Sequence, residues 1–282
     1  MDICYKCQSE LLDTIEKCLT CGRYIGPPNV RSVDKIEERL ALEYRYKNTV
    51  SALSQKGALE PLSGVEEALK TSSAVLCVSL DFLSFFLSYR KSLYSTYALS
   101  VEGETRMPAT EADESHRLSV DALLFAGYGK HIRFAALSLD GLGPKSYGPY
   151  SIKLREVAIE DRATLLEENS YRFVPKHNVG SNGGIPAGHR ATWRERHKLA
   201  VCKLAERIAS GDANDLPKAL LSSNGDYATD DFIEVHIYGP FDANAIESVK
   251  GISVDPDEKQ EYAMLERVKE LLKNAGKDWV EE

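Results

Sequence analysis

Hydrophobic and polar positions along the chain divide it into helical periods first and strand alternations later. From Ser32 and Asp34 to about Lys56, Ile36, Leu40, Tyr44, Tyr46, Val50 and Leu53 recur at roughly helical spacing, which predicts a long helix. Ser63 followed three residues later by Glu66 is a capping-box pattern and predicts a short helix beyond Pro61. The apolar run from Ser73 to Leu99 reads as a third helix, its Phe and Tyr residues packed into a core. Residues 101–115 are acidic, and 118–125 form another helical stretch ending at Gly127. From Lys130 short alternating segments separated by Gly and Pro take over. Tyr150 to Leu154 is the clearest strand, and 157–159 and 163–166 are further candidates. Residues 175–189 hold four glycines and no hydrophobic period, so they read as a surface loop, a plain connector or a lid. Helices follow over 191–208, 216–221 and 256–273.

The stretch Asp226 to Val249, DYATDDFIEVHIYGPFDANAIESV, reads as turn, strand and short helix, with Gly239-Pro240 ending the strand and Asp242 capping the helix. Alternation puts Phe232, Glu234, His236 and Tyr238 on one face and Ile233, Val235 and Ile237 on the core face. Glu234 is thus a carboxylate in mid-strand. It faces a cleft, a partner or solvent, because desolvation there is costly. Together these elements predict an α+β protein with a mixed, mainly antiparallel sheet. The expected division is a zinc-ribbon module over 1–28, a helical subdomain over 29–118, and a β core with flanking helices over 119–282.

Cysteine spacing adds the most specific chemistry. Cys4 and Cys7 form one CxxC pair, Cys18 and Cys21 a second, with ten residues between the pairs. Four thiolates complete a tetrahedral Zn²⁺ site with no open position, so the expected metal is structural. Cys77 and Cys202 stand alone. This usage suits a reducing cytoplasm, and no apolar leader or membrane-spanning run suggests export or a membrane.

Composition is ordinary for a globular chain, 43% hydrophobic and 28% charged, with a formal net charge of -8. That charge gives no global sign of nucleic-acid binding. Locally, however, Arg172, Lys176, Arg190, Arg194, Arg196, Lys198, Lys203 and Arg207 face only Glu195 and Glu206 between Tyr171 and Arg207. Such a cluster beside a glycine-rich loop suits either a solvated helix face or phosphate and nucleic-acid binding. The scattered histidines carry no ligand or triad spacing, and P-loop, GxGxxG and GxSxG motifs are absent from the sequence.

Three blocks in order, YGPYSIKL, DRATLLEENS and FIEVHIYGPFDANAIESV, resemble the strand blocks of ADP-ribosyltransferase-fold proteins, bacterial toxin and defence types included. The resemblance covers about residues 120–255. It implies an NAD-consuming transferase in which Glu234 stabilises the oxocarbenium-like centre as nicotinamide leaves. It also implies roles for Tyr150 in catalysis, for Tyr147 and Ser151 at the nicotinamide, for Arg133 at an NAD phosphate, and for Arg162, Asn169 and Ser170 along the cleft. Phe232 departs from the paired-glutamate form of the motif, and His236 stands where related strands carry Gln. The implied partners are NAD, an RNA, DNA or protein acceptor, and an antitoxin that neutralises the activity. A competing reading is a non-catalytic adaptor whose zinc ribbon and basic helix bind nucleic acid or protein.

Overall fold

The computed structural model describes residues 3–89, 92–95, 119–125, 127–180, 183–212, 215–227 and 229–282. Its centre is an eight-stranded sheet. The strands are β1 (Ser73–Val78), β2 (Ile132–Ser138), β3 (Tyr150–Leu154), β4 (Ala163–Leu166), β5 (Arg190–Thr192), β6 (Glu234–Tyr238), β7 (Ile246–Gly251) and β8 (Asp278–Glu281). They lie in the order β5-β4-β6-β2-β1-β3-β7-β8. Every pairing is antiparallel except β7 with β8. The expected α+β class with a mixed, mainly antiparallel sheet is what the chain forms.

The helices are α1 (Pro28–Val33), α2 (Ile36–Gln55), α3 (Leu59–Lys70), α4 (Leu80–Ser88), α5 (119–125), α6 (Ser170–Lys176), α7 (Arg196–Ser210), α8 (Leu216–Leu220) and α9 (Lys259–Asn274). One sheet face carries the main core: Val235 and Ile237 of β6, Leu137 of β2 and Leu76 of β1 pack with Leu42 of α2, Leu199 of α7 and Leu265 of α9. The other face carries a smaller cluster in which Phe125 of α5, Phe173 of α6, Ile132 and Leu166 meet.

Four sequence expectations are corrected. The run from Ser73 is strand β1 followed by α4, with 90–91 and 96–99 outside the described residues. A strand buried on both faces reads as continuous apolar sequence, which a helix can mimic. β1 lies between β2 and β3, so the segment 29–118 is not a separate helical subdomain but supplies a central strand. α3 begins before Pro61, leaving Ser63 and Glu66 inside it rather than at its start. After Gly239-Pro240, Asp242 caps only the single turn Ala243–Ala245, its side chain accepting from Asn244 N, and β7 follows instead of a helix. Among smaller departures, 156–158 is a 3₁₀ turn, and β5 precedes α7. The acidic residues 101–115 lie outside the described residues.

β1 and β2 pair only over Ser73–Val75. Beyond that point β1 continues along β3 and β2 along β6, so the sheet parts into two halves. The turn Lys145–Tyr147 presses against this seam. Gly148, at φ 141°, brings its backbone so close to Val78 that a Cβ would lie 2.4 Å from the Val78 carbonyl, and only glycine fits.

Candidate functional site

Glu234 opens β6 on the face of the smaller cluster and is only 3% exposed. Its surroundings meet the cost of burial. One carboxylate oxygen, Oε2, accepts from the backbone N of Ser170 at 3.2 Å and from Ser170 Oγ at 3.0 Å. The other, Oε1, lies 2.6 Å from His236 Nε2. The His236 ring is gripped edge-on by Phe125 and Phe134, at 4.9 and 5.4 Å between ring centroids. The alternation of β6 thus yields a fixed, hydrogen-bonded carboxylate rather than a solvated one.

Asn169 and Ser170 meet Glu234 because Asn169 caps α6, its side chain accepting from Tyr171 N. The amide nitrogen of Asn169 donates to Tyr227 O at 2.9 Å, which draws the 222–227 segment over the same place. Three tyrosines gather there from separate segments. Tyr147 meets Tyr227 edge-on at 4.8 Å, and Tyr227 stacks on Tyr171 at 6.4 Å. Asp230 is wholly buried beside them, accepting from Ser146 Oγ and, at 2.9 Å, from Asn224 N. This carboxylate latches the Tyr147 turn to the Tyr227 loop. Sequence reasoning missed Asp230, Tyr171 and Tyr227. The one signal was the crowding of aspartates before the strand.

The other candidates lie elsewhere. Residues directly opposite in a sheet share a face. Arg133 stands opposite Ile237, which is in the main core, so its side chain leaves the sheet on the face away from Glu234. It donates to the carbonyls of Tyr94 at 3.1 Å and His131 at 2.8 Å, and burial lowers its pKa to about 10. Tyr150 stands opposite Val78 on that same main-core face, three strands from β6, with its ring against Trp279. Arg162 donates to Ala158 O, Tyr238 O and Pro240 O, tying the far end of β6 in place. Ser151 does share Glu234's face but lies under the 139–144 loop, accepting from Gly143 N at 3.1 Å. Arg133, Tyr150 and Arg162 therefore do not gather at Glu234. Sequence context gave the strand of Tyr150 but not its face, whereas β2, which carries Arg133, was not among the expected strands, and Arg162 lies just before β4.

Burial pushes the Cys77 thiol up to about 11 and raises Cys202 as well, which disfavours the thiolate at both.

The N-terminal cysteines form two matching knuckles. Gln8 N donates to Cys4 O and Gly22 N to Cys18 O, each at 2.8 Å. Cys4 N donates to Ser9 O and Cys18 N to Arg23 O. Gln8 and Gly22, each following the second cysteine of its pair, both take positive φ, 61° and 67°. All four sulfurs lie within 4.8 Å of one another, with Cys4–Cys21 at 3.7 Å and Cys7–Cys18 at 3.6 Å. The edge of a ZnS₄ tetrahedron with ~2.3 Å bonds is about 3.8 Å. The four cysteines therefore fit a structural zinc ion, as expected. Arg31 of α1 donates to Leu12 O and Ile15 O of this module. Asn29 of α1, fully inside the fold, donates to Arg162 O, Thr164 Oγ1 and His236 O. One short helix thus joins the metal module to the strand that carries Glu234.

The basic run is neutralised within the fold. Arg172, Lys203 and Arg207 all lie within ion-pair distance of Asp231. Lys176 pairs with Glu168, Arg190 with Glu38, Arg194 with Asp161, Arg196 with Glu156, and Lys198 with Glu43 and Glu195. Among the described residues no helix is long and apolar enough to cross a membrane.

Comparison of the chain with protein-family models and with curated proteins gave no match.

Proposed function

We propose that the protein is an NAD-consuming ADP-ribosyltransferase of toxin or defence type, with Glu234 stabilising the cationic sugar as nicotinamide leaves. The observation that carries this reading is the state of Glu234: nearly closed from solvent, both oxygens fixed, and linked through Ser170 and Asn169 to a cluster of tyrosines from three segments. A preorganised negative charge beside developing positive charge lowers the barrier without reorganisation. Tyr147 or Tyr227 supplies the aromatic surface for the nicotinamide ring. With Arg133 and Arg162 turned away, Arg172, next to Tyr171 and sharing Asp231 with Lys203 and Arg207, is the cation we assign to an NAD phosphate. The internal pairing of the basic run favours a protein acceptor over a nucleic acid.

The test is incubation with labelled NAD and cell extract. Glu234→Gln keeps the shape and removes the charge, and labelling is expected to fall by about 100-fold or more. Equal labelling by both proteins would remove Glu234 from the mechanism.

A second reading, a zinc-ribbon adaptor, is favoured by one observation. Ile3, Tyr5, Leu12, Leu19 and Tyr24 of the metal module are exposed. In that case calorimetry shows no NAD binding, and Glu234 serves only the fold.

A further inference from the structure

α2 carries two faces with different tasks. Its inner face places Leu42 and Leu53 in the main core, and Glu38 and Arg45 reach Arg190 and Glu167. Its outer face is apolar where a surface helix is normally polar. Ile36, Leu40 and Tyr44 follow one another at every fourth position and are 64%, 65% and 69% exposed. Burying them adds nothing to the fold of a single chain. Glu37 and Lys47 are exposed beside them. The order Glu37, Leu40, Tyr44, Lys47 steps by three, four and three, the seam spacing of two helices packed nearly parallel or antiparallel.

We propose that this face is a homodimer contact, in which α2 packs antiparallel on α2 of a second copy. A two-fold axis passing at the level of Leu42 sets Leu40 beside Tyr44 of the partner subunit. The same axis sets Glu37 beside Lys47 of the partner subunit, twice by symmetry. A parallel pairing would stack Glu37 on its own copy and Lys47 on its own copy, so charge selects the antiparallel form. Lys47 now lies 3.2 Å from Glu43 along the helix with its side chain 71% exposed, so it can swing to a new carboxylate at little cost. One helix face buries less than the ~800 Å² per partner of a standard interface. The dimer is accordingly a reversible one.

The experiment is sedimentation equilibrium of the full chain over a concentration series, with thermal unfolding as the control for folding. The expected result is a monomer–dimer equilibrium that Leu40→Ser with Tyr44→Ser shifts to monomer, the melting of the dilute monomer being unchanged. Glu37→Lys alone weakens the dimer at low salt. Glu37→Lys combined with Lys47→Glu restores it, because the swapped charges still face each other. A monomer at the highest soluble concentration overturns the proposal, as does a dimer indifferent to the Leu40 and Tyr44 changes. A charge swap that fails to restore what the single change removed overturns the antiparallel register. Capture of a different protein by this face, without self-association, also overturns it.

Discussion

Glu234 and His236 show how a polar pair survives in an apolar cluster. Burial of a lone carboxylate or imidazole would be costly, but each supplies the other with a partner, and Ser170 satisfies the remaining oxygen. His236→Ala is therefore expected to cost about 1–3 kcal/mol in urea unfolding, because Glu234 Oε1 loses its partner while staying buried. Glu167 makes the parallel case with a titration attached. Burial by itself raises its pKa, but hydrogen bonds from His189 and Arg45, and the Arg45 charge, outweigh this and lower it from 4.5 to about 2. A folded-state pKa below the unfolded value means the stabilisation is full above about pH 4.5 and is lost as pH falls toward 2. Glu167→Gln should cost on the order of 3 kcal/mol at neutral pH, and the gap to wild type should close on acidification through that window. Urea midpoints measured across the window check it; a gap constant with pH would contradict the assignment.

Among the elements, the cysteine knuckles and β1 stand at opposite ends of legibility. A repeated CxxC needs only local turns to bring its sulfurs together, so spacing alone announced the site. β1 needs neighbours on both sides to be a strand at all, and its six residues carry no alternation that separates strand from helix. α1 is the element whose role no pattern showed. Its Asn29 links the metal module to β4 and β6 through three hydrogen bonds. Chelation of the metal is expected to unfold residues 3–25 and to raise amide exchange in 234–238 as α1 loosens. In Asn29→Ala, exchange at 234–238 should be raised already and should respond less to chelation. An unchanged exchange pattern in β6 after metal removal would show the two to be independent.

On the scale of the whole molecule, charge is arranged to hold segments together. Asp231 alone gathers Arg172 from α6 and Lys203 and Arg207 from α7, so the basic run visible in the sequence closes the fold around the loop before β6. Asp231→Asn leaves three cations without that carboxylate. Affinity for a single-stranded oligonucleotide should then rise above that of wild type, with a steeper salt dependence by up to about two to three ions. Strong, salt-dependent binding by the unaltered chain would instead mean that the pairing does not hold the charge.

The amino-acid sequence by itself determined the fold class, the four cysteines close enough to hold a metal ion, the strand bearing Glu234 and the core face of that strand. These depend on spacing and alternation over a few residues, which any chain carries openly. Only the tertiary structure decided that Asn169, Ser170, Tyr147, Tyr171, Tyr227 and Asp230 gather near Glu234 while Arg133, Tyr150 and Arg162 turn away. The reason is that register and face are set by partners distant in the chain: shifting a strand by one residue sends every side chain to the opposite side of the sheet.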